Sequence, residues 1–201
     1  MSTTGRSERS IRLQNPENRE RILWAGLKEF AAVGYEGANI SAIAKQSGLN
    51  KQLIYHYFGS KRGLYDAVLE TMLKRTLSAP DAGIEEILEA TPEFEYAQEW
   101  VRMLGWEGLQ YGGGDIPFAR ERGEGFSVLQ RDIERLQKDG RLDVRIDPRY
   151  ATLLVSLALI APQILPQLSL VLTGEDGSSP EFRRQMVRLL ELLLGLDPKA
   201  R

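Results

Sequence analysis

The 201-residue sequence contains no cysteine and only one histidine, His56. Disulfide frameworks, thiolate metal sites and cysteine nucleophiles are therefore excluded. A multi-histidine metal site and a two-histidine acid–base pair cannot form within one chain either. The one histidine lies in a short predicted helix, and the paired carboxylates Glu85 and Glu86 are predicted on a solvated face. We therefore expect no catalytic residues, no metal site, no cofactor and no enzymatic activity.

Long stretches without charge are also scarce. Residues 151–172 form one such stretch, near the length that spans a bilayer, but they include Pro162, Pro166 and several polar side chains. Lipid would leave the backbone groups freed by two prolines unsatisfied, so we predict no membrane span. We expect instead a helix buried against its own domain and a partner subunit. Because the polar, charged beginning of the chain is unlike a signal peptide, we expect a cytoplasmic protein.

The near-neutral net charge of −2 conceals an uneven distribution. Residues 1–75 hold 12 Lys and Arg against 7 Asp and Glu, a balance of +5. Residues 76–201 hold 14 against 21, a balance of −7. A basic N-terminal part followed by an acidic remainder suggests that the N-terminal part binds a polyanion. The charge balance of ordinary chains also varies by this much.

Apolar residues recur at helical spacing, and no segment alternates long enough to predict a strand. An all-α protein is therefore predicted. Residues 16–33 form the first predicted helix, with Gly34 as its stop. The remaining predicted helices cover residues 40–47, 51–57, 60–76, 92–111, 117–138, 148–170 and 180–195.

The two short helices near the front, joined by a turn that contains Gly48, have the spacing of a helix-turn-helix. In the second of them, Ile54 and Phe58 share one face at i and i+4, which we expect to be buried. The opposite face carries Lys51, Gln52, Tyr55 and His56. Gln pairs with adenine and Lys reaches the acceptors of guanine, whereas Tyr hydroxyls and the N–H groups at helix caps suit phosphate oxygens. The same pattern also occurs on ordinary solvated helices.

The run Asn39-Ile-Ser-Ala-Ile-Ala-Lys-Gln-Ser-Gly-Leu-Asn-Lys-Gln-Leu-Ile-Tyr-His-Tyr-Phe-Gly-Ser-Lys61 resembles the signature of TetR-family transcriptional regulators. The Leu-Lys-Glu-Phe-Ala-Ala-Val-Gly-Tyr that precedes it, residues 27–35, adds to this resemblance, which covers roughly residues 17–70. Asn39 stands where the family often has threonine, and both residue types cap helices.

The resemblance implies an all-α homodimer with an N-terminal three-helix helix-turn-helix domain and a C-terminal helical domain that binds a ligand and dimerises. The implied divisions are a flexible basic arm at residues 1–16, a DNA-binding domain at 17–62 and an effector-binding and dimerisation domain at 63–201. Dimerisation is expected through the helices near 148–170 and 180–195. The residues expected to touch double-stranded operator DNA are Ser41, Asn50, Lys51, Gln52, Tyr55, His56, Tyr57 and Lys61.

Aromatic and soft side chains are numerous in the middle of the chain, which suits a pocket for a small hydrophobic effector. The expected ligand-binding residues are Trp100, Met103, Leu104, Trp106, Tyr111, Phe118 and Phe126. Each of them could instead fill the core. The sequence thus predicts a ligand-responsive regulator, a repressor, that binds a near-palindromic operator as a dimer. Two alternatives stay open, a DNA-binding dimer without a small-molecule ligand and a small helical enzyme.

Overall fold

A computed structural model of the protein describes residues 15–76, 96–112, 114 and 116–195. In these residues the chain forms nine helices and no strand, which confirms the predicted all-α class. The helices are α1 (Pro16–Gly37), α2 (Ile40–Ser47), α3 (Lys51–Phe58), α4 (Lys61–Thr76), α5 (Ala97–Tyr111), α6 (Ala119–Lys138), α7 (Pro148–Ile164), α8 (Pro166–Thr173) and α9 (Pro180–Leu193). The predicted basic arm, up to residue 14, the carboxylates Glu85 and Glu86, and the predicted start of the fifth helix near residue 92 lie outside the described residues.

The boundaries of α2 and the start of α3 follow the predicted caps. The side chains of Asn39 and Asn50 accept hydrogen bonds from the N–H groups of Ser41, at 2.7 Å, and Leu53, at 2.9 Å. Each bond satisfies one N–H that a helix start leaves unpaired. Gly48 ends α2 in the left-handed conformation, with φ 67° and ψ 22°. The turn between α2 and α3 therefore forms for the reasons that the sequence indicated.

The first helix does not end where the sequence predicted. Gly34 interrupts it with φ 71° and ψ 175°, but the chain returns to helical dihedrals and ends only at Gly37. A side chain at position 34 would meet the Gln110 amide at 2.7 Å and the Trp106 ring at 3.1 Å. Glycine is required there because it tolerates positive φ and allows this close approach.

The single helix predicted for residues 148–170 is wrong, because the chain breaks at Leu165 between α7 and α8. Leu165 has φ −121° and ψ 58°, and the two helix axes differ by 96°. Pro166 explains the break, since it lacks an N–H and disfavours helical dihedrals in the residue before it. Among the described residues, no single helix is both long and apolar enough to cross a membrane, although this bent pair passes that test together.

The contacts divide the chain into two compact units. The first comprises residues 1–75 and 102–117, and its core includes the fully buried Ile22, Leu27, Phe30, Ile43, Ile54 and Leu64. The second comprises residues 76–101 and 118–201, with a core of Leu129, Ile133, Leu136, Leu142, Ala151, Val155, Leu190 and Leu194. This division differs from the expected domain boundary between residues 62 and 63, because α4 falls almost wholly in the first unit. The expected boundary stays a prediction.

We expect Gly63→Ala to destabilise the first unit. A Cβ on Gly63, at the start of α4, would collide with the backbone carbonyl oxygen of Phe58. Overpacking of this kind costs about 1–3 kcal/mol, and a backbone group cannot move aside as a side chain can. Chemical denaturation monitored by circular dichroism would measure the loss.

Gly108→Ala is the matched control for that substitution. Gly108 is an exposed residue of α5 in the same unit, and a Cβ there would meet no atom within 4 Å. Alanine at an open helix position stabilises by about 0.5–1 kcal/mol relative to glycine. Equal effects of the two substitutions would show that the contact between α4 and the end of α3 is not tight.

Candidate nucleic-acid interface

The two faces of α3 differ sharply in exposure. Ile54 is completely buried, whereas Lys51, Gln52 and His56 are exposed and the Tyr55 side chain is 49% exposed. The predicted division is therefore confirmed for Ile54 and for the four outward side chains, whereas Phe58, the other residue expected on the buried face, is only partly buried. Because eight residues make only two turns, all the outward side chains lie within one short patch.

Polar contacts from α1 hold both ends of α2. The Arg21 guanidinium donates to the Ser47 carbonyl oxygen at 2.6 Å, near the end of α2. The Glu29 carboxylate accepts from the Asn39 N–H at 3.2 Å and from the Gln46 side-chain amide at 2.9 Å. These bonds, together with the buried Ile43, restrict how α2 can rotate against α1.

The end of α3 is attached to the beginning of α1. The Tyr57 hydroxyl donates to the Asn15 carbonyl oxygen at 3.0 Å, and the Arg19 guanidinium lies 5.3 Å from the centre of the Phe58 ring. Tyr57 is half-buried. A DNA contact for Tyr57 stays a prediction, but in this structure its hydroxyl already has a partner within the protein.

Lys61, another residue expected at DNA, also has partners within the protein. Its ammonium donates to the carbonyl oxygens of Glu36, at 3.2 Å, and Ala38, at 3.0 Å, and lies 4.6 Å from the centre of the Tyr35 ring. Lys61 therefore holds the chain that leaves α1 against the start of α4. Its predicted contact with DNA is not tested by this arrangement.

The charges within the segment that forms α2 and α3 have one sign. Residues 37–65 contain Lys45, Lys51, Lys61 and Arg62 and no Asp or Glu. Ser41 and Asn50, two further residues expected at DNA, are exposed at the N-terminal ends of α2 and α3. Helix N-termini carry a partial positive charge and N–H groups that suit phosphate oxygens. The surface therefore combines cations, backbone donors and outward Gln52, the set of groups that a DNA groove requires.

The residues expected to bind a ligand are divided between the two units. Met103, Leu104, Trp106 and Tyr111 belong to the first unit, and Trp100, Phe118 and Phe126 belong to the second. The Trp106 indole N–H donates to the Ala31 carbonyl oxygen at 3.2 Å, so this ring packs on α1. Burial raises the pKa of Tyr111, and the nearby Arg62 acts against that rise. Phe126 is half exposed. Their role in ligand binding stays a prediction.

A cavity of about 190 Å³ lies elsewhere in the second unit. We call it the α7–α9 cavity, and its lining comprises Ala97, Gln98, Ala158, Leu159, Pro162, Gln163, Gly177, Ser178, Ser179, Pro180, Phe182, Arg183 and Met186. None of the seven residues expected to bind a ligand is among them. The sequence offered one signal, Pro162 followed by Gln163 in an otherwise apolar stretch. We interpreted the prolines and polar side chains of that stretch only as evidence against a membrane span.

Comparison with known proteins agrees with the resemblance seen in the sequence. The sequence model described as "Bacterial regulatory proteins, tetR family" matches residues 22–68. The chain is 33% identical over 181 residues to the HTH-type transcriptional repressor SCO4008 of Streptomyces coelicolor, covering 87% of this chain and 94% of that protein. It is 30% identical over 153 residues to the HTH-type transcriptional repressor NicS of Pseudomonas putida, covering 68% and 72%.

Solved structures show the same fold. The transcriptional regulator SCO4942 from Streptomyces coelicolor superposes with a TM-score of 0.69 at 24% identity, covering 88% of this chain and 97% of that one. A TetR-family transcriptional regulator from Pseudomonas syringae superposes with a TM-score of 0.55 at 22% identity, covering 90% and 97%. With the near full-length similarity to SCO4008, these findings identify the chain as a member of the TetR family of bacterial transcriptional regulators.

Proposed function

We propose that this chain is a cytoplasmic, ligand-responsive transcriptional repressor that binds a near-palindromic operator as a homodimer and catalyses no reaction. The observation that carries this proposal is the exposed polar face of α3, held outward by the buried Ile54. Family membership supports it, since SCO4008 and NicS are both named as repressors.

In the proposed complex α3 enters the major groove. Gln52 is placed to pair with a base edge, and Lys51 reaches either a guanine or a phosphate. Tyr55 and backbone N–H groups at the start of α3 bind the DNA backbone on either side. Asn50 contributes indirectly, because its side chain caps α3 and so orients those N–H groups.

We expect Gln52→Ala and Tyr55→Ala each to weaken operator binding strongly without changing the fold or the oligomeric state. Both side chains are outward. The loss of the Gln52 base contact costs about 1–3 kcal/mol of discrimination, whereas the loss of the Tyr55 phosphate contact weakens binding to all sequences alike. Operator sequences selected from random DNA would serve as the probe, with fluorescence anisotropy as the measurement.

Gln130→Ala is the matched control for these substitutions, because Gln130 is a partly exposed glutamine of α6, a helix of the second unit outside the proposed dimer interface. It should bind the operator as the unchanged protein does. Normal specific binding by the Gln52 and Tyr55 variants would show that another surface reads the DNA.

The proposed dimer uses the apolar outer faces of α7 and α9. Both helices bury one side in the core of the second unit, through Val155 and Leu190, yet also carry leucines on the other side. The exposed side chains are Leu153, Leu154, Leu157, Leu189, Leu192 and Leu193. Apolar stripes of this extent are rare on monomers, and a second copy of the chain would cover them by two-fold symmetry. The two α3 helices would then lie about one DNA turn apart, roughly 34–36 Å.

We expect the double variant Leu154→Glu/Leu189→Glu to be monomeric and to lose most of its operator affinity. These side chains are 59% and 49% exposed, so the isolated subunit tolerates the charges, whereas a dimer interface would bury them unpaired. Analytical ultracentrifugation measures the association directly.

Leu109→Glu supplies the control for the dimer test. Leu109 is 80% exposed on the part of α5 that belongs to the first unit. We expect this variant to remain a dimer. If the double variant also sediments as a dimer, the subunits associate through a different surface.

We further propose that α5 carries the effect of a ligand to the DNA-binding surface. Its first residues, Ala97 and Gln98, line the α7–α9 cavity in the second unit. In the first unit its Gln110 accepts a hydrogen bond from the Tyr35 N–H at 3.2 Å, and Trp106 packs on Gly34. A ligand changes operator affinity only if it binds the DNA-free arrangement more tightly than the DNA-bound one.

A further inference from the structure

The peptide unit that joins Ala38 to Asn39, immediately before α2, is held from both sides by side chains of opposite charge. The Lys61 ammonium, at the start of α4, donates to its carbonyl oxygen at 3.0 Å. The Glu29 carboxylate, on α1, accepts from its N–H at 3.2 Å. A trans peptide unit is planar, and its C=O and N–H point in opposite directions. The two hydrogen bonds therefore fix the rotation of this plane.

The Lys61 ammonium has further partners at the end of α1. It also donates to the Glu36 carbonyl oxygen at 3.2 Å and lies 4.6 Å from the centre of the Tyr35 ring. The last carbonyl groups of a helix lack helical partners and carry partial negative charge, so a cation stabilises them. A lysine ammonium has three hydrogens, and two carbonyl oxygens and the face of a ring satisfy it. A DNA phosphate would have to displace these contacts.

The orientation of this peptide unit bears directly on the candidate DNA-binding surface. Asn39 is the cap of α2, and its side chain accepts from the Ser41 N–H at 2.7 Å. The second oxygen of the Glu29 carboxylate accepts from the Gln46 side-chain amide at 2.9 Å, near the other end of α2. The helix α3 follows after only residues 48–50 and packs on α2. A change in the direction of α2 would therefore move the outward face of α3.

We propose that Lys61 and Glu29 are positioning residues for operator binding, which act through the peptide unit 38–39 on α2 and α3, and that Lys61 does not bind a phosphate. This inference rests on the proposed function, in which α3 enters the major groove. It takes the place of the DNA contact that the family resemblance implies for Lys61. A phosphate contact strengthens binding to all sequences alike, whereas a misplaced α3 loses mainly the operator.

The first test measures how salt changes the affinity of Lys61→Gln for the operator and for random DNA. Losing a phosphate contact lowers the slope of log affinity against log salt by about 1, as we expect for Lys51→Gln at the exposed Lys51. We expect Lys61→Gln to keep the slope and to lower the ratio of operator to random-DNA affinity about tenfold or more. Lys61→Arg should recover part of that ratio. A slope lowered by about 1 with an unchanged ratio would overturn the proposal.

The second test removes a negative charge, which would tighten DNA binding if charge alone mattered. We expect Glu29→Ala instead to weaken operator binding about tenfold or more, because it releases the peptide unit 38–39 and Gln46. The matched control is Glu20→Ala, which removes the same charge from the same helix. Glu20 is exposed, and its carboxylate accepts from the Trp24 indole N–H within α1. Equal or tighter operator binding by Glu29→Ala would contradict the proposal.

The third test needs no operator. Hydrogen exchange of the amides of residues 39–47 in the DNA-free protein should be about tenfold or more faster in Lys61→Gln and Glu29→Ala. It should stay unchanged in Lys51→Gln and Glu20→Ala, with circular dichroism showing that every variant is folded. Unchanged exchange in the first two variants would show that these side chains do not hold α2, and the proposal would fail. If the unchanged protein selects no operator from random DNA, the proposed function fails, and the exchange rates still decide whether Lys61 and Glu29 position α2.

Discussion

The burial of Ile54 is the contact on which the DNA-binding surface depends. A helix of eight residues has little stability of its own in water, because the free-energy cost of nucleating a helix exceeds the stabilisation that two turns provide. The core of the first unit stabilises α3 by enclosing this side chain, while the opposite face stays in solvent. The Asn50 cap and the Tyr57 hydrogen bond to Asn15 add to that stability. The hydrogen bonds that Arg21 and Glu29 make to α2 then determine where that face lies.

The local signals in the sequence predicted most helix boundaries correctly. Asn39, Asn50 and Gly48 act through contacts within a few residues, so their effect can be read without the rest of the chain. The break at Leu165 was missed because the apolar run through residues 151–172 suggested one continuous helix. Pro166 overrides that pattern, since a missing N–H and a steric clash act whatever the neighbouring side chains are.

The candidate sites were predictable to different extents. The outward face of α3 follows from helical spacing around Ile54 alone. The internal partners of Tyr57 and Lys61 do not, because they are carbonyl oxygens of residues far away in the sequence, 42 residues for Tyr57 and 25 and 23 for Lys61. The α7–α9 cavity was missed for the same reason, since its walls meet only after the chain folds back at the α7–α8 bend.

The packing of Trp106 and Gln110 against Gly34 limits how this chain can be recombined with its relatives, in evolution or by design. Residues 102–117 fold with residues 1–75, although the chain between them belongs to the other unit. If the genes of two relatives were recombined at residue 76, Gly34 would face a foreign helix whose side chains had not been selected to fit against it. Chimeras that exchange the second unit between relatives should therefore fold best when residues 102–117 come from the same parent as residues 1–75.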